Sequence, residues 1–174
     1  MVKQFTIALA GNPNAGKSTI FNAITGSHQH VANWPGKTVE KKEGNWSYNG
    51  FDFKVVDLPG TYSLTAFSLE EVIARNFIID ERPDLVVAVV DAGNLERNLY
   101  LAVQILELGV KVVMALNMSD VAESRGIKID VNKLSAGLGI KVVQTIASRE
   151  KGLEELKQVI FDTVSEMEVN HVGA

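Results

Sequence analysis

Five short, largely apolar runs recur along the chain. They occupy residues 5–10, 51–58, 85–91, 111–117 and 140–146. Continuous runs rich in Val, Ile and Leu are typical of strands covered on both faces, as in parallel sheets. Segments with helical periodicity lie between them, at about 16–25, 69–80, 96–108, 131–137 and 153–167. This alternation predicts an α/β fold with helices on both faces of the sheet.

A sixth strand is predicted from the stretch 40–58, where two extended segments flank Asn49-Gly50. This dipeptide is the strongest short hairpin signal because both residues tolerate positive φ. The sheet is therefore expected to have six strands, mostly parallel, with one antiparallel edge strand. The stretch 27–38 is the one long irregular loop expected, and such loops in compact domains are usually functional.

Size and composition narrow the class of protein. The 174 residues fit one domain, residues 1–174, and the chain has no cysteine, which excludes disulfides and thiolate metal sites. A formal net charge of -4 disfavours non-specific nucleic-acid binding. The longest purely apolar run, 85–90, is far shorter than the roughly 20 residues of a membrane-spanning helix. We therefore expect a soluble cytosolic domain.

The clearest chemical signal is GNPNAGKS, residues 11–18, which matches the phosphate-loop pattern GxxxxGK[ST] between a predicted strand and a predicted helix. Backbone N–H groups of such a loop bind phosphate oxygens, Lys17 reaches the terminal phosphates, and Ser18 offers a hydroxyl to Mg²⁺. The predicted nucleotide-binding residues of this segment are Gly11, Asn12, Pro13, Asn14, Ala15, Gly16, Lys17, Ser18 and Thr19.

Two further motifs follow predicted strands. In DLPG, 57–60, Asp57 is placed to bind Mg²⁺ through water and the Gly60 N–H to meet a γ-phosphate. In NMSD, 117–120, the Asp120 carboxylate can accept two hydrogen bonds from guanine that adenine cannot supply, which favours GTP over ATP. Asp120 could equally cap a helix. The expected base site comprises Asn117, Met118, Asp120, Ala147 and Ser148.

GNPNAGKS, Thr38, DLPG and NMSD, in this order, resemble the translation-factor-class GTPases with a Ras-like fold. Within that class, HVANWPGKTVEKKEG (30–44) and VVDLPGTYSL (55–64) closely resemble the G domain of the ferrous iron transport protein B family. The resemblance covers about residues 3–167. It implies hydrolysis of GTP to GDP and phosphate by a switch domain that controls Fe²⁺ uptake.

The resemblance also implies a larger protein. The domain would lie on the cytoplasmic face of the cell membrane, as a piece of a longer chain whose partners are a helical domain and an Fe²⁺-conducting membrane domain. No nucleic-acid partner is expected, and a nucleotide-dependent homodimer stays open.

Residue roles follow from the family pattern. Thr38, rather than its rival Thr61, would complete the Mg²⁺ shell with Ser18 and Asp57. The water-orienting glutamine of Ras-like enzymes is absent after Gly60, and the resemblance implies that the Asn14 carboxamide holds K⁺ as the substitute for an arginine finger. Hydrolysis is then expected to be slow and K⁺-stimulated. The catalytic residues implied are Asn14, Lys17, Thr38, Gly60, Glu70 and Glu71.

Three of these catalytic residues could instead have a purely structural role. Asn14 could simply stabilise a turn, and Glu70 and Glu71, expected to arrange the attacking water indirectly, could serve as favourable charges in a helix first turn. Backbone carbonyls around 32–34 would complete the K⁺ site only when that loop closes. Trp34 could contact a partner or anchor its loop.

Two further features concern the base-covering loop and a pair of histidines. Ile146 stands where the family has a hydroxyl residue in the base-covering loop, although Ala147 can still offer its N–H to guanine O6. His28 and His30 lack a carboxylate nearby in sequence, which disfavours a metal site.

Three other functions stay open. One is a soluble GTPase of ribosome assembly or tRNA modification, which the acidic charge and NWPG disfavour. The second is a nucleotide-sensing regulatory module with little turnover. The third, a phosphate-loop kinase, is disfavoured by NMSD.

Overall fold

The computed structural model describes residues 2–173, which build one mixed sheet covered by helices on both faces. The strands are β1 (Gln4–Gly11), β2 (Gln29–Asn33), β3 (Glu40–Tyr48), β4 (Phe51–Asp57), β5 (Leu85–Asp91), β6 (Val112–Asn117) and β7 (Lys141–Gln144). The helices are α1 (Lys17–Thr25), α2 (Leu69–Asn76), α3 (Leu95–Glu107), α4 (Ser119–Ser124), α5 (Val131–Leu138) and α6 (Leu153–Val172).

The strand order in the sheet is β2-β3-β4-β1-β5-β6-β7. The strands from β4 to β7 run parallel, and β3 returns antiparallel to β4 through the turn at Asn49 and Gly50. Both turn residues have positive φ, 47° and 82°, as the hairpin signal predicted. The predicted α/β class with a mostly parallel sheet is confirmed.

The sheet has seven strands rather than the predicted six, because β2 forms within the stretch 27–38. It pairs antiparallel with β3 and takes the edge position, so β2 runs in the same direction as β4 and β3 alone runs against the other described strands. All five residues of β2 are exposed. Backbone pairing, not burial, makes this segment a strand, so it lacks the hydrophobic pattern by which the other strands are predicted.

Alternate residues of the parallel strands build two cores. In β1, Ile7 and Leu9 pack towards α1 and α6, whereas Ala8 and Ala10 pack towards α2 and α3. All four side chains are nearly or fully buried. Burial on both faces explains the continuous apolar runs.

The helices differ from the prediction mainly at their ends. Helix α2 continues as a π-helical turn, Phe77–Glu81, and ends at Arg82, which has a φ of 46°. Helix α6 extends to Val172, beyond the predicted end at 167, and the short α4 was not predicted. Between residues 2 and 173, none of these helices combines the length and apolarity needed to cross a membrane.

Candidate functional site

The phosphate loop connects β1 to α1 and turns tightly over the helix N-terminus. Asn14 and Gly16 both have positive φ, 66° and 92°. Backbone turns of this kind direct successive N–H groups into a concavity that binds anions. The concavity is a pocket of about 390 Å³ lined by Asn12, Pro13, Asn14, Gly16, Lys17, Ser18 and Gly60. The sequence motif therefore folds into a cavity suited to phosphate.

Within this site, the Lys17 ammonium donates a hydrogen bond to the Asp57 carboxylate and forms an ion pair with it. Both side chains are about nine-tenths buried. Burial raises the pKa of Asp57, and the positive charge of Lys17 opposes that rise. The two residues predicted to serve the terminal phosphate and Mg²⁺ thus neutralise each other.

The DLPG turn lies directly against the phosphate loop. Thr61 donates its N–H to the Gly11 carbonyl at 3.1 Å. A Cβ added at Gly60 would lie 3.3 Å from the backbone of Pro13, so a side chain would crowd the loop. The Gly60 backbone therefore borders the phosphate pocket, and contact of its N–H with a γ-phosphate stays a prediction.

Asn117, at the end of β6, makes three hydrogen bonds to two other segments of the chain. Its Nδ2 donates to the Ala15 carbonyl at 2.9 Å, and its Oδ1 accepts from the Thr145 hydroxyl at 2.9 Å and the Ala147 N–H at 3.0 Å. Its side-chain amide would collide with any Cβ at Gly16. This buried asparagine fixes the base-covering loop to the phosphate loop.

Thr145 is a site residue that the sequence analysis missed. Its hydroxyl, 1% exposed, supports Asn117 although Ile146 stands at the expected hydroxyl position. Ile146 and Lys151 exchange two backbone hydrogen bonds, 3.0 and 3.1 Å, which close the loop on itself. The only sequence signal was the Thr immediately before Ile146, at the end of the predicted strand.

The remaining base-site residues lie around this loop. Met118 is the N-cap of α4 in the left-handed conformation, so Asp120 lies in the first turn of the helix and is not its cap. Ser148 is exposed. The Ala147 N–H is bonded to Asn117, so its predicted role towards guanine requires that this bond be replaced or shared.

The segment 28–38 lies along the sheet edge, away from the lining of the phosphate pocket. Thr38 is exposed. Trp34 is 7% exposed and packs edge-on against Phe77, with ring centroids 5.7 Å apart. The Lys41 ammonium lies 4.8 Å from the centre of the indole ring. Trp34 anchors this segment to α2, and neither Thr38 nor the carbonyls of 32–34 join Asn14 in the pocket.

Glu70 and Glu71 lie in the first turn of α2, after the N-cap Ser68. The Glu71 carboxylate accepts hydrogen bonds from Thr65 at 2.8 Å and Ser63 at 3.2 Å. The Thr65 hydroxyl holds the pKa of Glu71 below its ordinary value. Glu71 therefore braces the loop after DLPG, and Glu70 is exposed.

The structure changes one premise about the histidines. Glu43 stands opposite His30 in the β2–β3 ladder, although it is distant in sequence. Its carboxylate pairs with Lys41 at 3.0 Å and Lys54 at 3.1 Å. In the part of the chain that the structure describes, no three His, Cys, Asp or Glu side chains group so as to hold a metal ion.

The site consists of a phosphate loop packed against the DLPG turn and of Asn117, which bonds the phosphate loop to the base-covering loop. This arrangement defines a phosphate-loop nucleotide-binding domain of the Ras-like class. The family model described as ferrous iron transport protein B matches residues 5–160. The chain belongs to that family. The predicted membership of this family and the predicted Ras-like fold are confirmed.

Two solved structures resemble the chain closely. The FeoB G-domain from Methanococcus jannaschii is 55% identical with a TM-score of 0.84, and the match covers 94% of this chain and 99% of that one. The cytosolic domain of the T. maritima FeoB iron transporter in GMPPNP form is 49% identical with a TM-score of 0.88, over 94% of this chain and 64% of that one. The chain thus corresponds to the G domain of the family.

Full-length relatives are much longer. The Fe(2+) transporter FeoB of Escherichia coli (strain K12) is 52% identical over 163 residues, which are 91% of this chain and 21% of that protein. The chain therefore spans about a fifth of the length of this relative.

Proposed function

We propose that this domain binds GTP with Mg²⁺ and hydrolyses it slowly with the help of K⁺. In the full-length protein, on the cytoplasmic face of the membrane, it controls Fe²⁺ uptake. The observation that carries the proposal is the phosphate pocket at the α1 N-terminus, where the lining residue Lys17 forms an ion pair with Asp57. Relatives solved in GDP and GMPPNP forms, at 48% and 49% identity, support the choice of a guanine nucleotide.

Binding of the triphosphate requires the Lys17–Asp57 pair to separate. Lys17 then turns to the phosphate oxygens, whose negative charge stabilises its ammonium group more strongly than one carboxylate does. Asp57 becomes available for Mg²⁺ together with Ser18, which is exposed at the start of α1. Thr38 completes this set after the segment 28–38 moves from the sheet edge. Mg²⁺ supplies positive charge at the β- and γ-phosphates.

Guanine is read on the opposite side of the phosphate loop. Asp120 accepts from the base, and Asn117 holds the loop of Ala147 and Ser148 in place. The bonds from Asn117 to Ala15 and to the 145–147 loop make the two halves of the nucleotide site one unit. Loss of either half should therefore weaken binding of the whole nucleotide.

The position of Asn14 supports its proposed role as a K⁺ ligand, because the residue is exposed and lines the phosphate pocket. The residues after Gly60 offer no substitute for a water-orienting glutamine. Thr61 is 5% exposed, and Tyr62 stacks on Arg97, whose guanidinium lies 4.3 Å from the ring centre. K⁺ held at Asn14 supplies charge neutralisation between the phosphates.

The same Asn14 has a backbone role, since its φ of 66° lies in the left-handed region that asparagine tolerates. Glycine adopts this conformation without strain and alanine does not. Asn14→Gly therefore removes the amide while preserving the turn, and Asn14→Ala removes both. Asn49, an exposed residue with φ of 47° in the β3–β4 hairpin, is the matched control.

The experiment is steady-state GTP hydrolysis in KCl and in equimolar NaCl, with Mg²⁺ and varied protein concentration. We expect wild-type protein and Asn49→Gly to be about tenfold or more faster in K⁺. Asn14→Gly should lose this stimulation while it still binds GDP. If K⁺ still stimulates Asn14→Gly, the only role of Asn14 is to stabilise the turn of the phosphate loop. Equal slow rates of the wild type in both salts would favour the slow regulatory module.

The remaining partners belong to the full-length protein. We propose that a helical domain and an Fe²⁺-conducting membrane domain receive the change in the segment 28–38, and that the domain has no nucleic-acid partner. A rate per molecule that rises with protein concentration would support the nucleotide-dependent homodimer. A ribosomal or tRNA-directed GTPase is not favoured by the family match.

A further inference from the structure

Asn12 is a buried asparagine whose side chain makes no hydrogen bond to the described residues. The residue is 4% exposed, and neither Oδ1 nor Nδ2 has a hydrogen-bond partner among residues 2–173. A carboxamide can take part in up to four hydrogen bonds. Buried polar groups in proteins are nearly always bonded, and each one that is not requires an explanation.

The other two buried asparagines are fully engaged. Asn98 accepts from the Asp91 N–H at 3.1 Å and donates to the Asn94 carbonyl at 2.9 Å. Asn117 makes the three bonds that hold the base-covering loop. The lack of partners is thus particular to Asn12 and not general to buried amides of this fold.

The position of Asn12 indicates where its partners come from. Asn12 and Gly60 both line the phosphate pocket, and the polar side-chain atoms of Asn12 are shielded from water. Its chain neighbours on both sides touch the segment 60–61: Gly11 accepts from the Thr61 N–H, and Pro13 lies against Gly60. A terminal phosphate would draw this segment towards it, because Gly60 offers its N–H there.

We propose that Asn12 is a positioning residue that distinguishes the nucleoside triphosphate from the diphosphate. When the γ-phosphate draws in Gly60, polar groups of the segment 60–62 come within reach of the Asn12 amide and satisfy it. The diphosphate lacks this phosphate, so the amide stays unpartnered. The inference rests on the proposed binding of GTP and assigns to Asn12 a function beyond its membership of the phosphate loop.

Two variants test this, Asn12→Ala and the matched control Asn98→Ala. In nucleotide-free protein, Asn12→Ala should leave the Tm unchanged or raise it, because it removes an amide with no partner. Asn98→Ala should lower the Tm, because two bonds are lost. For Asn12→Ala, isothermal titration should show GDP affinity within about twofold of wild type and GMPPNP affinity about tenfold weaker, the equivalent of about 1.4 kcal/mol.

A merely structural role predicts a different pattern. A lower Tm or a failure to fold for Asn12→Ala, like that of Asn98→Ala, would overturn the proposal. So would equal weakening of GDP and GMPPNP, since the amide would then serve both states. In hydrolysis assays we expect a higher KM for GTP.

The proposed function can fail separately. Wild-type protein that binds neither nucleotide would refute GTP binding and the Asn12 role together. Wild-type protein that binds both, with an Asn12→Ala variant that still discriminates normally, would refute only the role of Asn12.

Discussion

The Lys17 ammonium and the Asp57 carboxylate form a buried ion pair at the end of β4, in the place where phosphate and metal would compete for them. The pair compensates two charges that would otherwise be buried alone. In the proposed binding mode, phosphate and Mg²⁺ would have to replace the two partners of this pair.

Asp57→Asn should therefore have two effects. It should lower the free energy of unfolding of nucleotide-free protein by about 1–3 kcal/mol, because Lys17 loses its counter-charge while an acceptor remains. We also expect Mg²⁺ to raise the GDP affinity of the wild type, and Asp57→Asn to abolish this increase. Urea titration and calorimetry with and without Mg²⁺ measure the two.

Asp52→Asn is the control for this prediction. Asp52 lies on the same strand, β4, but is bonded to Ser47 at the far end from the pocket. It should leave the Mg²⁺ dependence unchanged. An Asp57→Asn variant that keeps the Mg²⁺ dependence would show that this carboxylate does not serve the metal.

Thr145→Val should loosen the base-covering loop, since it removes the hydroxyl that Asn117 accepts from and keeps the shape of the side chain. One such bond contributes about 1 kcal/mol. Because the loss of this bond destabilises the GDP-bound state, GDP dissociation should be about fivefold faster. Stopped-flow displacement of a fluorescent GDP analogue measures this rate.

Thr163→Val is the matched control, because the Thr163 hydroxyl bonds only the Val159 carbonyl within α6. Its GDP dissociation rate should equal that of wild type. If Thr145→Val also dissociates at the wild-type rate, the hydroxyl of Thr145 supports the fold and not the nucleotide site.

Trp34 should report movement of the segment 28–38. The chain has two tryptophans, and Trp46 is stacked on Phe53 at 4.5 Å on the opposite core. In a Trp46→Phe background, GMPPNP with Mg²⁺ and K⁺ should shift the emission to the red relative to GDP, because Trp34 leaves its contact with Phe77. Identical spectra would mean that the Trp34 anchor holds in both states.

Thr65→Val should return the pKa of Glu71 upward towards its ordinary value of 4.5. Because the folded-state pKa is lowered, the hydrogen bond stabilises the protein above pH 4.5 and loses its effect as pH falls through the folded-state pKa. NMR titration of the Glu71 carboxyl carbon measures the shift.

Ser63→Ala provides the internal comparison. Its hydroxyl is 3.2 Å from Glu71, against 2.8 Å for Thr65, so its removal should move the Glu71 pKa less. An unchanged pKa in Thr65→Val would mean that this hydroxyl does not brace the carboxylate in solution.

Local signals in the sequence were enough to predict the parallel core of the fold. Each of β1, β4, β5, β6 and β7 carries its own apolar run. In β5 and β6 this run reflects burial on both faces, whereas β4 and β7 are only partly buried and are marked by their Val and Phe residues. The phosphate loop, DLPG and NMSD are likewise contiguous, and strand ends at one edge of a parallel sheet bring them together. These motifs could be located without knowing any contact between distant residues.

What the sequence by itself determined is therefore the class of fold, the order of the motifs and the chemistry of each motif. Only the tertiary structure decided which of these groups touch. The strand β2 exists through pairing with β3, Thr145 meets Asn117 across 28 positions, and Asn12 is left buried without a partner. Such relationships depend on packing between segments that are distant in the chain, so no local period or motif could encode them.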